Sequence, residues 1–316
     1  RAILWMMEGR ISCNLRQYPF FIKQILENSG NGMAKASVYS GEISHREMPV
    51  SVTYNAYFAY MLGGLFRKTA CRIRPYEAVP GQTDHTFREV QKILLRAMSG
   101  EGSVKDAIRE GLQLVDRIEY DKSTRKPLVA IFGDLYVRDN DVMNQDLIRD
   151  IENAGGEVLV TPYHDYMKIT IENIFRRARA RGEHFQTIVN RILLGAFKLM
   201  DEQYYKAFTR YLGPAPVIRP AELEKHLSDF NVHSLHSGES FDNLLKIFYL
   251  TENYPGVALF IQASPSYCCP ALVTEAMTRR IRQITGVPVV TITYDGTSER
   301  MNEIIVPFLQ HLPPQE

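Results

Sequence analysis

Three things are scarce in this sequence: cysteine, long apolar runs, and an excess of charge of either sign. Four cysteines in 316 residues are too few for a disulfide-dense secreted scaffold, so we expect a reducing compartment. Lys and Arg number 37 and Asp and Glu number 36, which gives no electrostatic argument for a nucleic-acid or membrane partner. No apolar run reaches the roughly 18 residues that span a bilayer, and no stretch has the pattern of a secretory leader. We therefore predict a cytoplasmic protein.

Several motifs that mark common chemistries are also missing. There is no GxGxxG of a dinucleotide site, no GxxxxGK[ST] of a phosphate-binding loop and no GxSxG of a hydrolase nucleophile. No zinc pattern such as CxxC is present. A content of 45% hydrophobic and 23% charged residues is typical of a globular protein with a full core. The first residue is Arg1, and we expect the chain to be part of a longer polypeptide.

The second half of the chain alternates short β-rich apolar runs with stretches of helical spacing, which predicts two strand–helix–strand units. The first unit has a strand at 128–133, a helix at 142–153 and a strand at 157–161. The second has a strand at 257–261, a helix at 270–285 and a strand at 288–293, and a final helix follows at 299–309. Such units indicate a parallel, Rossmann-like sheet of about four strands. Residues 167–254 between them have the pattern of a long helical insertion.

The first 125 residues have a less regular pattern, which predicts a partial α/β domain. Helical spacing occurs at 15–28, at 52–67 and, as two helices, at 86–118, and a short strand is predicted at 36–40. The predicted fold class is α/β. We predict an N-terminal lobe at 1–125 and a Rossmann-like lobe at 126–316 that contains the helical insertion.

Polar residues and cysteines follow the predicted strands of the second lobe. In open parallel sheets, ligands bind beyond the carboxyl ends of the strands. The loops at that edge contain, in chain order, Asp134, Arg138, Asn140, Tyr163, His164, Cys268, Cys269 and Asp295. Asp134 and Asp295 are candidates for acid–base groups, although aspartates at strand ends commonly cap the next helix.

The cysteines are candidate metal ligands. Cys268 and Cys269 directly precede a helix predicted to begin at Pro270, and a helix N-terminus favours thiolate, the form that binds metals. Cys13 lies in a polar turn ahead of an apolar helix, and Cys71 lies among cations. The alternative is that a cysteine is simply a small buried hydrophobic residue, and this alternative has most weight for Cys71.

Three stretches resemble proteins related to the activators of 2-hydroxyacyl-CoA dehydratases. They are SCNLRQYP at 12–19, IFGDLYVRDND at 131–141, and YCCP at 267–270 followed by TEAM at 274–277. The resemblance covers essentially the whole chain, as the C-terminal part of a larger protein. More remotely, the segment around Cys268 is similar to a cluster-ligand segment of the dehydratase and benzoyl-CoA reductase subunits. That segment has one cysteine where this chain has two, so the choice between Cys268 and Cys269 stays open.

The resemblance implies two Rossmann-like lobes with an iron–sulfur cluster between them, either [4Fe–4S] or double-cubane. It implies ligation by Cys13 and by Cys268 or Cys269, with Cys71 as a further ligand. It also implies an anaerobic, oligomeric protein, with like or unlike subunits, that receives low-potential electrons from an ATP-dependent activator and acts on acyl-CoA thioesters. The activator's ATPase domains are not among these 316 residues, so we do not assign ATP hydrolysis to them.

The leading hypothesis is an iron–sulfur redox protein that passes a low-potential electron to an acyl-CoA or another small substrate. Arg16, Gln17, Tyr267 and Asp134 would surround the cluster, where hydrogen bonding and solvent access set its potential. A second hypothesis is a non-catalytic electron-relay or scaffold domain that docks the activator. A third is a metal-free thiol protein that senses redox state through its adjacent cysteines, although these lack the reach of a CxxC pair. No catalytic residue is assigned.

Overall fold

The computed structural model of the chain describes residues 2–7, 14–41, 49–217, 225–233 and 239–312. Its N-terminal part is a small unit of two parallel strands, β1 (Ile3–Met7) and β2 (Ser37–Gly41), connected through helix α1 (Tyr18–Asn28). Helix α1 and strand β2 agree with the elements predicted at 15–28 and 36–40, whereas β1 is an addition that the pattern did not predict. No residue of α1 is buried, so this unit is largely open to solvent.

Three helices follow the N-terminal unit: α2 (Val50–Ile73), α3 (Gln82–Met98) and α4 (Val104–Val115). Buried apolar residues recur along α2 at three- and four-residue spacing, so one stripe of this helix faces α3 and α4. They include Met61, Leu62, Leu65 and Phe66. Helices α3 and α4 agree with the two helices predicted at 86–118, and the Ser103 side chain caps the start of α4 by accepting a hydrogen bond from the Asp106 amide at 3.4 Å.

The four-stranded parallel sheet predicted for the second half is confirmed. Its strands are β3 (Leu128–Gly133), β4 (Glu157–Leu159), β5 (Val257–Pro265) and β6 (Val289–Tyr294). Their order across the sheet is β4-β3-β5-β6, and every neighbouring pair is parallel. All six residues of β3 are buried, as expected for an unbroken apolar run in a sheet covered on both faces.

Helices cover both faces of this sheet. The described helices that follow β3 are α5 (Leu147–Asn153), α6 (Tyr163–Ala180), α7 (His184–Tyr205), α8 (Thr209–Leu212), α9 (Glu239–Asn253), α10 (Cys269–Ala276), α11 (Thr278–Thr285) and α12 (Ile305–Gln310). Helices α5 and α12 pack on one face, and α9 and α11 pack on the other. Helices α6 to α8 lie in the predicted insertion, and α7 and α8 lead away from the sheet toward α2. The chain is therefore of mixed α/β class, as predicted.

Two predicted helices differ from the observed ones for local reasons. The helix predicted at 142–153 begins only at Leu147, because Gln145 and Asp146 have positive φ angles of 54° and 60° that a helix cannot contain. The helix predicted at 270–285 is divided at Met277 into α10 and α11. None of the described helices is long and apolar enough to cross a bilayer.

Core contacts cross the boundary predicted between residues 125 and 126. Tyr57 of α2 stacks on Phe197 of α7, with ring centroids 4.1 Å apart. Arg72 of α2 forms an ion pair with Glu157 in β4. The division into two lobes therefore stays a prediction.

Candidate functional site

The strand order marks a crevice at the carboxyl edge of the larger sheet. Strands β3 and β5 are neighbours, but β3 leads through α5 to β4 on one side, whereas β5 leads through α10 and α11 to β6 on the other. The two connections also use opposite faces, since α5 and α11 belong to different core clusters. In open parallel sheets such a reversal leaves a crevice at the carboxyl ends of the strands, and ligands bind there. The loops that flank it are residues 134–146 and 266–268.

The loop after β5 is a tight turn that leads directly into α10. Tyr267 is 84% exposed and has a φ of 62°, and the Cys268 amide donates to the Pro265 carbonyl at 3.3 Å. Cys268 is the residue before the first turn, Cys269 begins the helix and Pro270 follows it, a position where proline is well tolerated. The sequence therefore placed both cysteines correctly at a helix N-terminus.

Buried amides anchor this turn to the sheet. Gln262 of β5 donates from Nε2 to the Ala271 carbonyl in the first turn of α10 at 3.1 Å. Asn243 of α9 donates from Nδ2 to Thr274 Oγ1 one turn later, at 3.3 Å. Helix α10 is thus fixed both to the strand before it and to the neighbouring helix.

The two thiols of this turn suit metal ligation, but they are only part of a ligand set. Cys268 is partly buried and Cys269 is exposed, so both are accessible. Across the part of the chain that the structure describes, no three His, Cys, Asp or Glu side chains are grouped to hold a metal ion. Iron–sulfur clusters commonly use four thiolates, so further ligands would have to come from other parts of the protein. Cys13, the other ligand that the sequence predicts, lies outside the described residues.

Cys71 lies in a different environment from the cysteine turn. Its side chain is 1% exposed within the core cluster between α2, α5 and the sheet. Burial raises the pKa of the thiol to about 11, although Arg74 acts in the opposite direction. The same cluster contains Ile131 of β3 and Ile148 of α5, so Cys71 is part of the core on this face of the sheet. This environment favours the packing interpretation over ligation.

The other predicted site residues lie on the surface or in local turns. Arg16 and Gln17 are exposed in a 3₁₀ turn just before α1. Asp134 follows β3, and its Oδ1 accepts hydrogen bonds from the amides of Tyr136 and Val137 at 2.9 and 2.8 Å. The Asp134 carboxylate thus caps a turn, which is the alternative considered for strand-end aspartates.

A buried ion cluster that the sequence did not predict joins α2, α6 and α7. Lys68 pairs with Asp165, and Lys168 lies 3.0 Å from Asp165 and 2.6 Å from Asp201. Burial opposes all of these charges, but the carboxylates outweigh it and raise the pKa of both lysines. In turn, the two lysines hold the pKa of Asp165 well below its usual range, against the effect of burial. Two cations face two carboxylates, so the cluster is balanced.

His164 borders this cluster in its neutral form. Burial lowers the pKa of His164 to about 4, and its Nδ1 has no hydrogen-bond partner among the described residues. Gly64 of α2 makes room for the ring, because a Cβ there would come within 2.6 Å of Pro162 and 2.9 Å of the imidazole. The signal in the sequence was the glycine pair inside an otherwise apolar helix, which indicates close packing of another element.

Arg138 lies at the carboxyl edge, where the sequence placed it without assigning a role. It belongs to a 3₁₀ turn, Val137–Asp139, that packs on β3 and β5. Its side chain is fully buried although it carries a charge. A basic residue shortly after an apolar strand, in a loop beside the crevice, was the available signal for a binding role.

A cavity of about 200 Å³ beside Cys71 is lined by three arginines that already have carboxylate partners. They are Arg67, paired with Asp141, and Arg74 and Arg149, which share Asp84 and Glu152. Because these cations are neutralised within the chain, the cavity gives no reason to expect an added anion.

No family model, no curated protein and no solved structure matches the chain.

Proposed function

We propose that this chain is an iron–sulfur redox protein of the kind that its sequence resembles, with the cluster held at the crevice between β3 and β5. The observation that carries the proposal is the position of Cys268 and Cys269, two accessible thiols at the start of α10 beside that crevice. Cys13 would supply a ligand from the N-terminal part, and two Rossmann-like lobes would enclose the cluster. When bound, a [4Fe–4S] or double-cubane cluster supplies the transfer of single low-potential electrons.

The chain's own contribution is to hold the two thiols in a fixed orientation. The positive φ of Tyr267 reverses the chain after β5, so that Cys268 and Cys269 follow at the edge of the sheet. The Gln262 hydrogen bond keeps the first turn of α10 on the strand. Backbone amides at a helix N-terminus stabilise thiolate by hydrogen bonding and through the helix dipole. The turn therefore combines accessible sulfur with a rigid backbone.

The substrate and partner follow from the resemblance alone. We propose an acyl-CoA thioester or another small substrate, and an ATP-dependent activator, as a further domain or a separate protein, that supplies the electrons. The compartment would be an anaerobic cytoplasm.

Anaerobic reconstitution with iron and sulfide tests this proposal. The expected product is a coloured protein with matching iron and acid-labile sulfide, and an EPR signal after reduction with dithionite. The C268A/C269A double variant and Cys13→Ala should lose iron and colour. Cys71→Ala is the matched control and should retain both, because Cys71 is buried in the core cluster between α2, α5 and the sheet. A colourless, iron-free native chain would contradict the proposal.

A second candidate is an electron-relay or scaffold domain, and the exposed apolar surface of the N-terminal unit favours it. Phe20, Phe21 and Ile25 of α1 are all more than half exposed, and Trp5 of β1 in the same unit is partly exposed. Large exposed apolar surface commonly marks a protein-binding site. A relay is indicated if the reconstituted chain is reduced and reoxidised reversibly but binds no acyl-CoA in calorimetry. Measurable acyl-CoA binding favours the enzyme.

A further inference from the structure

Arg138 is a buried cation whose side-chain donors have no acceptor among the described residues. Its side chain is 1% exposed, and Nε, Nη1 and Nη2 all lack a hydrogen-bond partner in that part of the chain. One carboxylate lies within ion-pair range, that of Asp139, but its Oδ2 is 3.6 Å from Nε and too far for a hydrogen bond. A guanidinium has five N–H donors and remains charged in proteins. The group is therefore buried with its bonding capacity unused.

Such an arrangement is unfavourable in the absence of a partner. Buried polar groups are almost always hydrogen-bonded, and buried charges are paired or bind a ligand. The buried lysines follow the rule for charges, since Lys68 and Lys168 each have carboxylate partners. Arg138 differs from them in having no hydrogen-bonded acceptor among the described residues, which points to an anion that this part of the chain does not supply.

The position of Arg138 is one where a ligand can arrive. Its turn follows β3 at the switch between β3 and β5, the place where open parallel sheets bind ligands. Within the same turn region Tyr136 is 66% exposed, and Asp139 and Asn140 are half-buried, so the turn that contains Arg138 reaches the surface. Asp134 holds this loop in shape through its two backbone hydrogen bonds.

A second buried cation lies at the same strand end. Lys246 of α9 donates from Nζ to the carbonyl of Gly133, the last residue of β3, at 3.2 Å. Asp242 lies four residues earlier on α9 and so shares a helix face with Lys246, and its carboxylate accepts from Tyr166 at 2.9 Å. Lys246 thus has a backbone acceptor, and a carboxylate lies on its own helix face. Of the described carboxylates, Arg138 has only that of Asp139 within ion-pair range and is not hydrogen-bonded to it.

We propose that Arg138 anchors an oxyanion-binding site in the crevice between β3 and β5, which takes a carboxylate or phosphate group of a small-molecule ligand. The planar guanidinium fork matches two oxygens of either group, and charge-assisted pairs of this kind are the strong ones. The site does not depend on iron, because no cysteine takes part in it. It stands or falls separately from the proposed function.

The test uses the iron-free full chain and two probe anions, inorganic phosphate and succinate, each compared with chloride at equal ionic strength. Calorimetric titration and thermal melting should show binding of at least one probe. Arg138→Met should weaken that binding more than tenfold, and Arg138→Lys should weaken it less, because lysine keeps the charge but loses the fork. The control is Arg210→Met, which removes an exposed arginine that pairs with Asp116 on the surface and should change the affinity less than twofold.

Selective binding of succinate assigns a carboxylate ligand, selective binding of phosphate assigns a phosphate ligand, and binding of both supports the shared site. In chloride alone, R138M should melt at or above the temperature of the native chain, because the substitution removes a buried charge that is not hydrogen-bonded within the described residues. The proposal is overturned if neither probe binds or if R138M and R210M bind equally well. A large drop in the melting temperature of R138M in chloride would also overturn it, since the guanidinium would then be satisfied within the chain.

Discussion

Two of the regions in which the described part of the chain buries charged side chains differ in how those charges are partnered. Between α2, α6 and α7, Lys68 and Lys168 meet Asp165 and Asp201 in ion pairs. After β3, the side-chain donors of Arg138 have no hydrogen-bond partner among the described residues. The first region lies between three helices and includes the start of α6, which follows β4, whereas the second lies beside the switch between β3 and β5.

This difference in partners distinguishes buried charges with a structural role from buried charges with a proposed functional role. In a balanced cluster the ion pairs offset the free-energy cost of desolvating the charges, and they fix the register of the helices that contribute to it. For a buried cation without a hydrogen-bonded partner, that cost is not offset until an anion binds. Burial alone therefore does not identify a site, but burial without a partner at a ligand-binding edge does.

The largest effect is expected from breaking the balanced cluster. Asp165→Asn removes one carboxylate and leaves Lys68 buried without its partner, which should lower the free energy of unfolding by about 3–5 kcal/mol. Urea unfolding followed by circular dichroism measures it. Asp106→Asn, which removes an exposed partner of Arg109, is the control and should stay within about 0.5 kcal/mol. A D165N effect as small as that of the control would end the distinction between the two regions.

The next effect is a pH dependence that comes from His164. Between about pH 6.5 and pH 4 the unfolded chain binds a proton at this imidazole and the folded chain does not. The free energy of unfolding should therefore fall as the pH drops through that window, by about 3 kcal/mol in total. His164→Gln should flatten the profile in this range. Asp165, whose pKa is held low, adds its own loss only below about pH 4.

An unchanged profile in H164Q would mean that other groups control the acid response, and the neutral histidine would then not belong to the balanced region.

A smaller effect is expected at the glycine pair that seats His164. Gly64→Ala forces a Cβ against Pro162 and the imidazole and should cost about 1–3 kcal/mol. Gly63→Ala meets nothing within 4 Å and should be neutral or stabilise the helix by up to about 1 kcal/mol. Thermal melting of the two neighbours side by side measures the contrast. Equal effects would show that the helix, and not the histidine, sets the requirement at position 64.

The smallest effect concerns the buried thiol beside the paired arginines. Cys71→Ala should cost about 1 kcal/mol, because it removes one buried atom from the core. In the native iron-free chain, an alkylating reagent at pH 8 should modify Cys269, which is exposed, and should leave Cys71 unmodified until the protein unfolds. Mass spectrometry of the modified peptides gives the result. Rapid modification of Cys71 in the folded chain would show that this cavity opens.

The sequence predicts the elements that are local and misses those that depend on distant contacts. β3 and β6 were found because their apolar runs are self-contained, and the cysteine turn was placed because Pro270 marks a helix start. The late start of α5 depends on Asn144. Its side-chain Nδ2 donates to the Val137 backbone carbonyl at 2.8 Å, and its backbone carbonyl accepts a hydrogen bond from the Asn302 side chain at 3.0 Å. No local pattern reports a contact across more than 150 residues.

The candidate site follows the same rule. The crevice and its loop residues came from the alternation of strands and helices, but the partners of Lys68 and Lys168 lie on other helices. Whether the Arg138 side chain has a hydrogen-bond partner depends on all the residues that pack around it. Those residues are brought together only when the chain folds, so the sequence alone does not predict the missing partner.

The small N-terminal unit gives this protein a built-in optical probe. The chain has a single tryptophan, Trp5, and it lies on β1 with a partly exposed indole. Intrinsic tryptophan emission therefore reports on the paired strands β1 and β2 alone, whereas far-ultraviolet dichroism reports on the helical body. A shift in the emission maximum without a change in dichroism therefore indicates a structural change or binding event at the N-terminal unit. No added fluorescent label is needed to detect it.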